Sequence, residues 1–203
     1  MTISTICNQV FLQSVKDYHI HNDVDAQMNN PFEQSSLEHL FYWKNYIDTV
    51  QWHLEDIVRD PNIDPVNGLE LKRRIDRSNQ ERTDLVEKID DYFLNLYANV
   101  ESFPNATINT ESPAWAIDRL SILILKIYHM QEEVNRKEAS NEHRNRCAAK
   151  LDVLQIQQSD LSFSIDELIS DISSGRKKMK VYRQMKMYND PSLNPVLYNL
   201  KGK

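Results

Sequence analysis

A chain of 203 residues has the length of one domain and can bury a core without disulfide or metal staples. Hydrophobic residues make up 40% and charged residues 27%, ordinary for a globular protein. A net charge of -6 and a pI of about 5.5 disfavour duplex nucleic acid, whose affinity for proteins comes largely from Lys and Arg neutralising phosphates.

Two cysteines, Cys7 and Cys147, cannot build a disulfide framework, and the N-terminal stretch lacks the basic and apolar regions of a signal peptide. Reduced thiols and a cytoplasmic location are therefore expected. The most apolar run, Leu120 to Met130, contains Lys126 and is too short to span a bilayer, so no transmembrane segment is expected. With only 3 Gly, and with the Pro residues outside the long periodic stretches, the chain reads as all-α. The expected architecture is an antiparallel bundle of about five long helices over residues 1–175, with a basic tail over 176–203.

The first helix is predicted over Ile3–His21, where Ile3, Ile6, Val10, Phe11 and Val15 share a stripe. A polar loop follows to Gln34. The second helix is predicted to start at Ser35, in a capping box with Glu38, and to stop before Pro61. Its apolar positions run from Leu37 and Leu40 to Leu54 and Ile57. A second box, Asn67 with Glu70, opens the third helix, which is predicted to reach about Asn99. Ser112 followed by Pro113 opens the fourth, a Ser cap with Pro at the first helical position. The fourth helix reaches at least Arg136, with a break near 137–141, and Leu120, Leu123, Ile124 and Ile127 are its expected core. The fifth runs from Asn141 to about Ser174, with Gly175 as its C-cap.

Polar residues interrupt two of these stripes. On the third helix Ser78, Asn79 and Arg82 sit between Leu71, Ile75 and Leu85, Val86, Ile89. An unpaired polar group is costly inside a bundle, so these residues are expected to meet partners on a neighbouring helix or to face a cavity. On the fourth, Arg119, Lys126, His129, Glu133 and Arg136 follow one another at three- or four-residue spacing. Either seam could also be an ordinary solvated face. Read as a cavity, they make Asn79, Arg82, Arg119, Lys126 and Arg136 candidate ligand contacts. His53, His129 and Glu87 are then the candidate catalytic groups, a histidine acting as acid or base near neutrality.

His53 with Asp56, and His129 with Glu132, repeat a His-x-x-acid spacing, but the Glu-x-x-His order of ferritin-like di-iron sites is absent. No metal and no cofactor are expected from these spacings. Arg136 and His143 only loosely resemble the Arg–His motif of HEPN ribonucleases, and Glu87 with Asp90 only half of the acidic motif of all-α pyrophosphohydrolases.

The tail segment RKKMKVYRQMKMY, residues 176–188, holds six basic residues and no acid, interleaved with Met and Tyr. Met179, Tyr182, Arg183, Met185, Lys186 and Tyr188 are the candidate partner contacts, with the apolar members on one side of a short helix ending before Pro191. The segment could pack on its own bundle, on a partner protein or second subunit, or on an anionic membrane surface. Its basic run is short for RNA.

The blocks WHLEDIVRDP, LKRRIDRSNQERTDLVEKID, TESPAWAIDRLSILILKIYHM and KMKVYRQMKMYNDPSLNP resemble those of an uncharacterised bacterial domain-of-unknown-function family of about 200 residues, all-helical throughout. That resemblance implies an accessory role in cell-envelope polysaccharide synthesis, since genes of the family often lie near glycosyltransferases. It transfers no catalytic residue. Two functions follow as expectations. The first is a non-catalytic binding or assembly protein, with a protein partner or a second copy of itself. The alternative is a small enzyme acting on an anionic or sugar-phosphate substrate in a polar cavity of the bundle.

Overall fold

A computed structural model of the chain describes residues 1–185, 187 and 190–199. It is all-helical, with α1 over Ile3–His21, α2 over Leu37–Val58, α3 over Pro65–Leu96, α4 over Pro113–Asn135, α5 over Asn141–Ser173 and a short α6 over Pro195–Asn199. Among the described residues there is no β-strand, only an isolated bridge between Thr107 and Lys177.

Capping chemistry sets the helix starts and shifts two of the expected ones. Ser36, not Ser35, caps α2: its hydroxyl accepts from the His39 amide at 3.1 Å and donates to the Glu33 carbonyl at 2.7 Å. Asp64, not Asn67, caps α3, because Pro65 presets the first helical φ and the Asp64 carboxylate takes the amides of Val66 and Asn67, each at 3.0 Å. That helix ends at Leu96, three residues before the expected Asn99. Ser112 and Ser140 cap α4 and α5 through the amides of Trp115 and His143. Gly175 follows α5 at φ 77, a left-handed conformation, and a Cβ there would collide with the Glu101 carbonyl oxygen.

The core lies where α1, α2 and α4 meet, with α3 and α5 closing its sides. Phe11 and Phe41 pack edge to face at a centroid separation of 5.8 Å, and Val86, Ile89, Phe93, Ile117, Leu120, Ile124 and Ile165 complete the cluster. The apolar stripe of α4 is buried at Leu120, Leu123 and Ile124, but Ile127 is only half-buried, because the helix is leaving the core by that turn. Ile57 is likewise exposed at the end of α2.

The described part of the tail is not helical from residue 177 to 185. It lies along the loop before α4: Lys178 donates its amide to the Thr107 carbonyl at 2.9 Å, and the Thr107 amide donates to Arg176 at 3.3 Å. Met179 packs against the core cluster. Tyr182 and Met185 do not, being 71% and 90% exposed. Without a helical backbone, the three-residue spacing expected to align Met179, Tyr182 and Met185 no longer puts them on one face. Lys186 and Tyr188 lie outside the described residues. No helix among the described residues is long and apolar enough to cross a membrane.

Candidate functional site

Two polar clusters lie between α2 and its neighbours. The first is ionic. Lys44 and Asp48 stand one turn apart on α2, both with fully buried side chains, and Lys44 Nζ lies 2.5 Å from Asp48 Oδ2. The same ammonium lies 2.6 Å from Asp118 Oδ1 on α4. From α3, Arg82 donates through Nε to Asp48 Oδ1 at 2.5 Å and through a terminal nitrogen to Asp118 at 3.4 Å. Two cations and two carboxylates thus close a formally neutral ring. Ser121 donates to Asp48 Oδ2 at 2.6 Å, and Asn45 in turn donates to Ser121 Oγ at 3.0 Å. Burial alone would lower the Arg82 guanidinium, but Asp48 and Asp118 outweigh it and hold it above its ordinary value.

The polar interruption of α3 therefore does meet neighbouring helices. Arg82 finds its counter-charges in Asp48 of α2 and Asp118 of α4. Gln51 of α2 donates to Asn79 at 2.8 Å and accepts from Ser78 at 3.0 Å. Arg82 is 22% exposed and forms part of the floor of a cleft of about 320 Å³. Trp52, Glu55, Asp56, Arg59 and Ile122 line the rest of it, together with Asp48 and Gln51.

The second cluster is imidazole. His19 on α1, His53 on α2 and His129 on α4 bring one ring nitrogen each within 4.8 Å of one another. His19 Nε2 and His53 Nε2 are 3.3 Å apart. His19 Nδ1 donates to the Val15 carbonyl at 2.7 Å, and His129 Nδ1 donates to Glu132 Oε2 at 2.8 Å. In a neutral ring each of those bonds fixes the proton on Nδ1 and leaves Nε2 as an acceptor. His129 Nε2 is buried and has no hydrogen-bond partner. The rings are held by aromatic neighbours: Tyr18 stacks on His53 at 5.0 Å, Trp52 on His129 at 5.1 Å, and Tyr128 lies 4.4 Å from His19. Burial lowers both His19 and His53 below the usual histidine value, and His129 adds to the effect on each. Burial raises the Tyr18 phenol to about 12.

The remaining candidates are dispersed. Arg119 is exposed and pairs with Glu111, while Lys126 is exposed in a depression between α4 and α5 that Arg119 also lines. Arg136 pairs with Glu133 at 3.0 Å. His143 Nε2 also meets Glu133, at 2.8 Å, and lies 3.3 Å from the Cys147 sulfur. Glu87 holds the tail, where its carboxylate accepts from Arg183 at 3.3 Å and from the Gln184 amide at 3.1 Å. Arg183 also pairs with Asp91.

Lys44, Asp48, Asp118 and His19 were not among the expected site residues. Phe41, Lys44, Asn45 and Asp48 follow the i, i+3, i+4, i+7 pattern of a buried stripe, and that was the available signal.

Residues 38–181 match the family described as Protein of unknown function (DUF4254). The chain belongs to that family. No curated protein and no solved structure matches it. The span shared with the family takes in nearly all of α2, all of α3 to α5 and the first tail residues, and so the whole ionic ring and the cleft above it. His19, on α1, lies before it.

Proposed function

We propose that this member of the family is a non-catalytic binding protein whose ligand is a sugar or sugar-phosphate seated in the cleft between α2, α3 and α4. The observation that carries this reading is the lining of the cleft: the Trp52 ring together with Asp56, Arg59 and Arg82. An aromatic face suits the apolar side of a sugar ring, carboxylates accept from its hydroxyls, and a guanidinium takes a hydroxyl or phosphate oxygen. The ring of buried charges beneath makes the floor rigid, so the ligand meets a preformed surface.

His53, His129 and Arg119 do not line this cleft, and that favours binding over chemistry on an anionic substrate. The gene neighbourhood of the family that the sequence blocks resemble, near glycosyltransferases of bacterial envelope polysaccharide synthesis, supports an accessory role there. Val153, Ile156 and Phe163, exposed on one face of α5, offer a surface for a protein partner.

Amide and indole chemical-shift mapping of the full chain against neutral sugars, sugar phosphates and nucleotide sugars tests the ligand. The expected result is saturable shifts at Trp52, Asp56, Arg59 and Arg82 with one ligand class, weakened by Asp56→Asn and Arg59→Ala. These two side chains are exposed, and replacing them leaves the core intact. Shifts scattered outside the cleft, or turnover of the ligand during titration, would overturn the reading.

A further inference from the structure

We propose that His19, His53 and His129 form a three-histidine site for a zinc-class divalent metal ion where α1, α2 and α4 meet. The proposal does not rest on the reading of the sugar-binding cleft, although Trp52 borders both. Three features of the cluster point to it.

The first is spacing. A tetrahedral ion with Zn–N bonds of about 2.0–2.1 Å holds its ligand nitrogens roughly 3.3–3.4 Å apart. His19 Nε2 and His53 Nε2 already stand 3.3 Å apart, and the His129 nitrogen lies within 4.8 Å of both. Closing the rest of that gap takes a small rotation of one ring.

The second is tautomer. A metal needs an imidazole lone pair, and the other ring nitrogen of a metal-ligating histidine almost always donates to a carbonyl or carboxylate, which orients the ring. His19 has such a partner in the Val15 carbonyl, and His129 has one in Glu132. In the neutral rings both Nε2 lone pairs are therefore left to accept, and that of His19 faces His53 Nε2. In the metal-free protein His53 Nε2–H donates to the His19 lone pair. On metal binding that proton moves to Nδ1 of His53, which frees the third lone pair with no net loss of a proton from the ring.

The third is the unsatisfied atom. His129 Nε2 is buried without any partner. A buried acceptor left unpaired is costly, and a metal ion satisfies it where the surrounding side chains do not. Stacked Tyr18 and Trp52 restrain the rings of His53 and His129.

Three neutral imidazoles on three packed helices suit zinc, and also cobalt, nickel or copper, rather than magnesium or calcium, which take oxygen ligands. With three protein ligands the fourth position is left for water or an external donor. The site also ties α1, α2 and α4 together, so the ion stabilises the folded chain by mass action.

The test uses the full chain stripped with chelator and titrated with zinc chloride. Calorimetry is expected to give one ion per chain, and the melting temperature should rise with zinc concentration. Long-range proton–nitrogen spectra of the wild-type imidazoles should show Nε2 ligation at His19, His53 and His129, while His21 and His39 stay unchanged. Cobalt substitution should give the intense visible absorption of a four-coordinate ion without a sulfur charge-transfer band. Glu132→Gln, a change outside the ligand set, should weaken binding by about 10–100-fold, and His53→Gln should abolish it.

Absence of binding to the wild type would overturn the proposal. So would ligation at His143 with a sulfur band from Cys147, or unchanged affinity in His53→Gln. The wild-type spectra decide the matter even if a variant fails to fold.

Discussion

Lys44 and Asp48, one turn apart on α2, meet at 2.5 Å with neither side chain exposed to solvent. Removing one partner of a buried ion pair leaves the other charge uncompensated, at a cost of about 3–5 kcal/mol. Lys44→Met should therefore lower the unfolding free energy by about that amount, because Asp48 and Asp118 would then share Arg82 alone. The double change Lys44→Met with Asp48→Leu should cost less than the sum of its parts, by about 0.5–3 kcal/mol. Urea denaturation of the four proteins measures the coupling, and strict additivity would show that the two charges act independently.

Ile124 is 3% exposed in the middle of α4. Ile124→Asp buries an unpaired carboxylate and should unfold or aggregate the chain, beyond the ~1 kcal/mol of an average substitution. Ile127→Asp, one turn along and only half-buried, should be much milder. Thermal melts of the two variants compare an interior turn with the turn at which the helix leaves the core.

The number and approximate limits of the long helices were legible because periodicity and caps are local signals, whereas the short α6 over Pro195–Asn199 was not. Ser112 and Gly175 act within a few residues of themselves. Asp64 followed by Pro65 is the same cap-then-proline signal as Ser112 with Pro113, and the capping-box spacing of Asn67 with Glu70 masked it; Ser35 and Ser36 are adjacent hydroxyls, and only Ser36 takes the His39 amide. The polar interruption on α3 was legible as an anomaly, but its partners were not. Lys44 and Asp48 share a stripe with Phe41 and Asn45, but their i, i+4 spacing is also that of a solvated ion pair, and only the packing of α3 and α4 on them separates the two. The histidine cluster joins residues 34 to 110 positions apart, and only the tertiary fold brings them together.

Asp90 is fully buried and accepts from the Ser112 hydroxyl at 2.7 Å and the Ala114 amide at 3.3 Å. Burial raises its pKa despite those bonds and the pull of Arg183, and Asp91 adds a little to the rise. A raised carboxyl keeps its proton in the folded state at pH values where the unfolded chain, with an Asp pKa of about 3.9, has released it. Folding then takes up a proton, so this group's contribution to stability falls as pH rises through the window that starts near 3.9 and ends above the folded value. Asp90→Asn removes that dependence. Melting temperatures across acidic pH should show the wild type losing stability relative to Asp90→Asn as pH rises. Parallel curves would mean that the Asp90 carboxyl titrates alike in the folded and unfolded chain, with no net effect of its burial.

Gly175 holds φ 77 at the end of α5, against the Glu101 carbonyl. A side chain there is both strained and blocked by backbone, and Gly175→Ala should destabilise by about 1–3 kcal/mol from conformation alone. The collision adds to this. The same change should loosen the tail, because the Phe103 amide donates to the Gly175 carbonyl at 2.9 Å and starts the pairing that Thr107 continues. Hydrogen exchange at the Phe103 and Lys178 amides should accelerate more than the melting temperature implies.

Docking of the tail separates electrostatics from packing. Arg183 bonds to Glu87 and Asp91 at the surface, where salt screens ion pairs and side-chain entropy opposes them. Met179 instead packs against the core, and Lys178 is hydrogen-bonded through its backbone to Thr107. Arg183→Ala should therefore leave tryptic cleavage after Lys177 and Lys178 as slow as in the wild type, and raising the salt concentration should leave it slow as well. Met179→Ala should cost less than the ~2–5 kcal/mol of a fully buried Met truncation yet open the segment to trypsin before any cut within α1 to α5. If salt alone released the segment, the ion pairs would be the main attachment and the Met179 contact incidental.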